Sequence, residues 1–451
     1  MANVFLTVLG TGFYSECDYI YCNQVVRTKY VQEALVKFLA QDWKRENGDK
    51  IIILLTDDAK NKNYITKDET DVKLDRILTG FDLEVEEVHI EVGANEDELR
   101  QIFNQIVEHT NYGDHVILDI TYSLRNIPIQ ALVALNYAKV IKGIEFDGIY
   151  YGAFELGKKQ EETICITEVA CSCGNGTVQR EEYIKQVEIF NLNTYIELLD
   201  WTHAINTFLQ TGSAKEVKNL YDNANRTLNK KEDRSINYLN NIVNALYNFT
   251  SCISNSRGMN PISSIKKLSL RSIGAAANSL DKAIKELDCN QEEKIPLKAL
   301  FHKVGESIQS FVEKDNLGVG LATVEWCIKY DMIQQGYTAL EETLKTYICN
   351  IYNIDDSLKK NREEKAGKIL ACLNIEKEKW IVTAEERLFI EEKVSELDIK
   401  YPNLKGIVSE IIQKRNDINH FGFQSSHSFC VDELREGLDR LYKAFIKIAT
   451  K

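Results

Sequence analysis

The chain is short of proline. Its 451 residues include four, at positions 128, 261, 296 and 402, so long helices can run without the ring clash and missing N–H that interrupt them. It also lacks an apolar run of the roughly 20 residues needed to cross a bilayer; Val4–Leu9 is apolar but short, and reads as a strand. No basic-plus-apolar leader opens the sequence, and the eleven cysteines are an odd set. Both features predict reduced thiols in a cytoplasm, away from any membrane, rather than a disulfide framework. Cys171 and Cys173, the closest pair, have no second Cys/His pair at ligand spacing, so no zinc site is expected there. Positive charge is scarce as well. The formal net charge is −13, which counts against strong nonspecific binding of nucleic acid unless a local basic groove exists. The densest basic cluster of the second half, Lys359, Lys360, Arg362, Lys365 and Lys368, is broken by Glu363 and Glu364 and reads as a solvated helix face.

What is present describes an ordinary globular protein, 44% hydrophobic and 27% charged, and long enough for two domains. Residues 1–155 alternate strand and helix. Val4–Leu9, Ile51–Leu55, Leu83–Val92, His115–Thr121 and Phe146–Phe154 read as strands. Helical stripes at Val31–Leu39, Leu74–Leu78, Leu99–Ile106 and Ala131–Ile141 separate them. The alternation predicts an α/β, Rossmann-like domain with a mainly parallel sheet over residues 1–180, completed by a last strand at 163–169. In such sheets ligands bind beyond the carboxyl ends of the strands, where the strand order reverses. The loops after the first and fourth strands are Gly10-Thr11-Gly12-Phe13-Tyr14 and Thr121-Tyr122-Ser123-Leu124-Arg125-Asn126. They combine close backbone approach, hydroxyls, aromatic faces and one arginine, which suits a phosphate-containing ligand with bases to stack. A nicotinamide dinucleotide is the rival ligand, kept open by Asp57; the third glycine of its fingerprint is absent.

Beyond about residue 185 the pattern is helical only, so residues 181–451 are expected to form an all-α region. Phe190 to Leu209 crowd one helix ended by Gly212, its aromatic stripe reading as core. Further helices are expected at 235–250, 265–288, 293–313, 319–353, 356–373, 384–397, 403–420 and 431–449. The penultimate one carries Leu404, Ile407, Ile411 and Ile412 on one face and ends on Arg415-Asn416-Asp417-Ile418-Asn419-His420, with Gly422 as its expected stop. Arg415 and His420 lie about 140° apart around the axis, and Asn416 shares the face of His420. Histidine can move protons near neutral pH, arginine can hold phosphate oxygens, and an amide can orient the imidazole. Cleavage of RNA by its own 2′-hydroxyl asks for those groups and no metal. One copy supplies each once; two copies across a symmetry axis would supply a pair. His89, His109, His115, His203, His302 and His427 have no such arginine beside them and read as structural or surface residues; of these His427, on the loop beyond the motif, is the best second candidate.

The two halves together resemble a known family. Leu9–Tyr14, the run Asp119-Ile120-Thr121-Tyr122-Ser123-Leu124-Arg125-Asn126-Ile127-Pro128, and Tyr150–Glu155 look like the sensor (CARF) domain of CRISPR-associated CARF–HEPN ribonucleases. Arg415-Asn416 with His420 is similar to the Arg-x(4–6)-His signature of HEPN ribonucleases. Tyr122 stands where the family usually has histidine. The resemblance implies a homodimer, or a higher oligomer, acting in type III CRISPR antiviral defence. Its two sensor domains would bind one cyclic oligoadenylate, tetra-adenylate with hexa-adenylate as the alternative. That ligand would switch on cleavage of single-stranded RNA without a catalytic cofactor. It assigns Thr11, Gly12, Thr121, Ser123, Arg125 and Asn126 to the ligand, with Gly10, Phe13, Tyr14, Tyr122 and Leu124 alongside them, and Arg415, Asn416 and His420 to catalysis. The alternative is a non-catalytic nucleotide sensor that signals to a partner protein through its helical half.

Overall fold

The computed structural model describes residues 1–121, 126–170, 177–227, 234–258, 272–288, 295–423 and 428–449; at 159–170, 177–183, 225–227, 234–238, 288 and 295–296 it describes backbone alone. The chain divides into two compact units, Met1–Glu197 and Leu198–Lys451.

The strands of the first unit are β1 (Asn3–Val8), β2 (Cys17–Tyr21), β3 (Gln24–Thr28), β4 (Lys50–Leu55), β5 (Glu84–His89), β6 (His115–Asp119), β7 (Glu145–Gly152), β8 (Lys158–Ala170) and β9 (Thr177–Asn191). They form one sheet in the order β3-β2-β9-β7-β6-β1-β4-β5, with β8 paired to β9. The pairs β5–β4, β4–β1, β1–β6 and β6–β7 are all parallel, so the five strands expected from the sequence form a continuous parallel run from the β5 edge of the sheet inwards. Both faces are covered. Val4, Leu6 and Val8 point into a core shared with Ile102 and Ile106 of α2 (Glu96–His109) and with Ala131, Ala134 and Leu135 of α3 (Asn126–Lys142). Phe5 and Leu9 point the other way, against Val31, Ala34 and Leu35 of α1 (Val31–Leu39). This two-residue alternation explains why the central strands read as unbroken apolar runs.

Two features depart from expectation. Residues 17–28 form a hairpin, β2–β3, turned by Cys22 and Asn23 at φ 48° and 64°. Consecutive left-handed residues are what a tight hairpin turn requires, and Asn supplies one without glycine. The end of the sheet also extends further than predicted. The strand expected at 163–169 runs from 158 to 170, and β9 continues to Asn191, antiparallel to β7 and parallel to β2. The compact units therefore divide at Glu197, not at 180. Cys171 and Cys173 lie outside the described residues.

The second unit is helical: α4 (Asn193–Thr211, which spans the division), α5 (Lys215–Thr227), α6 (Arg234–Ser254), α7 (Ile273–Asp288), α8 (Ile295–Ile308), α9 (Asn316–Lys329), α10 (Ile333–Ile351), α11 (Lys368–Leu373), α12 (Ala384–Lys400), α13 (Leu404–Asn419) and α14 (Val431–Ala449). Phe190 belongs to β9, not to the helix that follows. Gly212, at φ 70°, ends α4 as expected; a Cβ there would sit 2.9 Å from the Tyr330 ring. The long helix predicted over 319–353 is two. Asp331 takes φ 56° and turns α9 back into α10. Trp326 of α9 packs with Phe208, Phe249 and Phe311 in one core. Val324, on another side of α9, joins Leu340, Ile411, Leu438 and Phe445 in a second. The aromatic stripe near Trp201 is core packing only in part: Trp201, its ring 5.9 Å from Phe301, and Phe208 are buried, whereas Phe190 and Tyr195 are exposed.

Candidate functional site

Because β1 and β6 are adjacent and parallel, pairing Leu6 with Leu118, the two glycine- and hydroxyl-bearing loops leave the sheet side by side. Asp119, at the end of β6, is buried beneath them. Its Oδ2 accepts from the Thr7 hydroxyl at 2.7 Å and its Oδ1 from the Thr121 N–H at 2.9 Å. Burial pushes its carboxyl above the usual range, against the pull of those hydrogen bonds. Gln32 of α1 donates to Thr7 Oγ1 at 3.2 Å and to the Val8 carbonyl at 3.3 Å. A buried polar floor thus fixes the directions in which both loops depart.

The first loop is held from below. Asn63 donates from Nδ2 to the carbonyls of Gly10 and Gly12, at 2.8 and 3.0 Å, and the Tyr14 hydroxyl accepts from the Gly10 N–H at 3.0 Å. Tyr14 is buried, its ring 5.1 Å from that of Tyr30, so it supports the loop and presents no free face. Phe13 is 86% exposed, and Thr11 and Gly12 are exposed with it. A Cβ on Gly12 would meet nothing within 4 Å, and its φ is not left-handed. Neither backbone strain nor crowding therefore demands glycine there, which leaves open space above the loop as its evident effect.

In the second loop, Thr121 accepts at Oγ1 from the Gly152 N–H at 2.8 Å, and Asn126 donates to the Gly93 carbonyl at 3.4 Å. Thr121 is thus tied to the end of β7 and Asn126 to the segment between β5 and α2. Tyr122, Ser123, Leu124 and Arg125 lie outside the described residues. Immediately beyond, α3 exposes Ile129, Val133, Tyr137 and Val140 at three- and four-residue steps. This second apolar face is opposite the one that meets the sheet, and helical periodicity alone, read one face at a time, passes over it. At the far end of the sheet His115 lies 3.2 Å from Asp147 and 3.6 Å from Glu145, a cluster unrelated to these loops.

The other candidate site is the end of α13. Leu404, Ile407, Val408 and Ile411 are buried, and the same face continues into two buried polar residues, Lys414 and Asp417. Lys414 donates to the Glu433 carbonyl at 2.6 Å, lies 3.3 Å from Glu410, and sits 5.0 Å over the Phe429 ring. Asp417 accepts from the Phe429 N–H at 3.3 Å. These contacts fix α13 against the start of α14. On the flank between core and solvent, Arg415 keeps 35% of its side chain exposed, with Nε 3.1 Å from Glu341 Oε2 of α10. The contact is an ion pair without hydrogen-bond alignment.

Asn416 is half-buried and His420 exposed. His420 caps the helix. The Phe421 N–H bonds to the Ile418 carbonyl at 3.1 Å and the Gly422 N–H to the Asp417 carbonyl at 2.9 Å, which is the Schellman pattern. The left-handed residue of that motif is Phe421, at φ 57°, and Gly422 follows at 74°, so the predicted glycine stop comes one residue late. His427 lies outside the described residues.

The basic cluster at 359–368 is not uniformly solvated. Arg362 is buried and donates to Thr346 Oγ1 and to the Glu342 carbonyl and carboxylate, each at 2.8 Å. Burial opposes the charge of Glu342, yet the bonds from Arg362 and Lys345 hold its carboxyl below the ordinary value. The residues that sequence reasoning missed are thus Asn63, Glu341, Asp417 and Phe421. Their partners are distant in sequence or their backbone is unusual for their type, so local pattern carried no sign of them.

No protein-family model matches the chain. It is similar to the CRISPR-associated protein MJ1674 of Methanocaldococcus jannaschii. The two are 20% identical over 281 residues, which cover 62% of this chain and 36% of that protein. The chain thus matches about a third of its relative's length. Among the described residues no helix is long and apolar enough to cross a membrane.

Proposed function

We propose that the chain acts in CRISPR defence as an endoribonuclease switched on by a cyclic oligoadenylate. The observation that carries this reading is the end of α13. It sets an exposed histidine and a half-exposed arginine in one helical turn and a half, with the arginine anchored by Glu341. The similarity to a CRISPR-associated protein supports the cellular setting. The first-unit loops, with Gly12 open and the floor of Asp119, Thr7 and Gln32 below, support the site of the activator. Two copies joined along the exposed stripe of α3 would bring equivalent loops around one ring-shaped ligand, because α3 starts where the second loop ends.

The chemistry asks little of the protein. The 2′-oxygen attacks the adjacent phosphorus as its proton leaves, the P–O5′ bond breaks, and the departing oxygen takes up a proton. The products are a 2′,3′-cyclic phosphate and a 5′-hydroxyl. His420 moves protons, Arg415 balances charge on the five-coordinate phosphorane, and Asn416 positions the imidazole. Cyclic tetra-adenylate is the favoured activator, and a bound ring would act by selecting one orientation of the two subunits.

The test is to incubate the full chain with single-stranded RNA in EDTA, with and without cyclic tetra- or hexa-adenylate. Cleavage is expected only with an activator, and His420→Ala should lower it by about 10²–10⁴-fold. Undiminished cleavage by that variant removes His420 from the mechanism. No cleavage by the unmutated chain with either ring leaves the non-catalytic sensor as the better reading.

A further inference from the structure

Immediately after His420 the chain displays two phenylalanines. Phe421 and Phe423 are 87% and 88% exposed, and their ring planes lie 18° apart with centroids 6.5 Å from one another. Phe421 occupies the left-handed position of the helix cap, where a bulky residue is a genuine outlier and glycine is the usual choice. Glycine stands next door at Gly422, whose added Cβ would meet nothing. Phe423 is tied back by its N–H to the His420 carbonyl at 3.0 Å. A costly backbone conformation therefore holds an aromatic face out into solvent one residue from the proposed proton-transfer group. Strain of this kind next to a site is a reason to seek a use for it.

We propose that Phe421 and Phe423 are a stacking platform for a nucleobase flanking the scissile phosphodiester, an inference that rests on the reading of the α13 end as RNA-cleaving. Charge alone does not hold this occupant. The net charge is −13, and among the described residues Lys414 is engaged with Glu410 and Glu433, Arg435 with Asp331 and Arg440 with Glu410. Those three side chains are drawn away from phosphates, and affinity for RNA has to be supplemented by contacts that carry no charge. Base–aromatic stacking supplies affinity without charge and tolerates any sequence, since every base offers a π-face. A base seated on these rings lies beside the residue proposed to move protons. The pair thus selects unstacked, single-stranded substrate, because a base inside a duplex has no face to give.

The test is binding of a single-stranded oligoribonucleotide carrying 2-aminopurine to full-length His420→Ala protein with the activator present, with and without Phe421→Ala plus Phe423→Ala. The unmutated rings should quench the probe. The double change should raise Kd about tenfold or more, within the roughly 5- to 150-fold range of a lost stack. Phe421→Trp plus Phe423→Trp should restore binding, and the salt dependence of binding should not change. Equal Kd and quenching without the rings overturn the platform. So does a weakening that follows loss of dimer mass in sedimentation, which would make the rings a subunit contact. If the chain with His420 intact does not cut RNA and the His420→Ala protein does not bind it, the reading of the site fails first and takes the platform with it. Cleavage with ring-independent binding sinks the platform alone.

Discussion

Single residues decide the character of the α13 end. The placement of Arg415, Asn416 and His420 at the end of one helix was legible in the sequence, because their spacing there is fixed by its 3.6-residue turn. Glu341, which holds the arginine, was not, since nothing local links residues 341 and 415. Phe421 was not legible either: Gly422 is the residue that propensity nominates for the left-handed position, and the chain places it one step too late. The mismatch has a measurable consequence. Phe421→Gly should relieve the cap, stabilising the helical unit by about 1 kcal/mol and raising its Tm by about 2–4 °C. RNA binding should weaken in the same variant. A fall in Tm on calorimetry would show that the ring is held by packing and not against the preference of its backbone.

At the level of elements, the parallel strands were readable because burial on both faces makes them unbroken apolar runs. The β2–β3 hairpin was not, as its turn of Cys22 and Asn23 lacks the glycine that usually marks one. The α9–α10 break was hidden for a related reason: apolar spacing continues through Tyr330 and Met332, and Asp331 turns the chain without proline or glycine. The Gly10–Tyr14 loop was legible as a loop, but its support was not. Asn63 reaches it across more than fifty residues of sequence. Asn63→Ala should cost about 1–2 kcal/mol through two lost hydrogen bonds. It should also weaken activator binding, read by calorimetric titration with cyclic tetra-adenylate, while cleavage at saturating activator stays near normal. Unchanged titration would mean that the loop keeps its shape without the clamp.

For the whole molecule, the decisive surface is the outer face of α3. Ile129, Val133, Tyr137 and Val140 give an isolated chain a contiguous apolar stripe, of a kind that marks an interaction site. If it seats a second copy, Val133→Glu together with Val140→Glu should convert the dimer to monomer in sedimentation and abolish ligand-stimulated cleavage. The circular dichroism of the chain should not change. A dimer that survives both carboxylates would put the subunit contact elsewhere, and the ring-shaped ligand would need another route to two equivalent loops.

The position of β1 in the sheet also bears on how the protein is made. Val4–Val8 lies between β4 and β6, so β1 waits for Lys50–Leu55 and then for His115–Asp119 to be synthesised before both its edges are paired. At about 5–20 residues per second, that interval lasts several seconds or more. During it a naked β-rich segment is free to join the wrong chain.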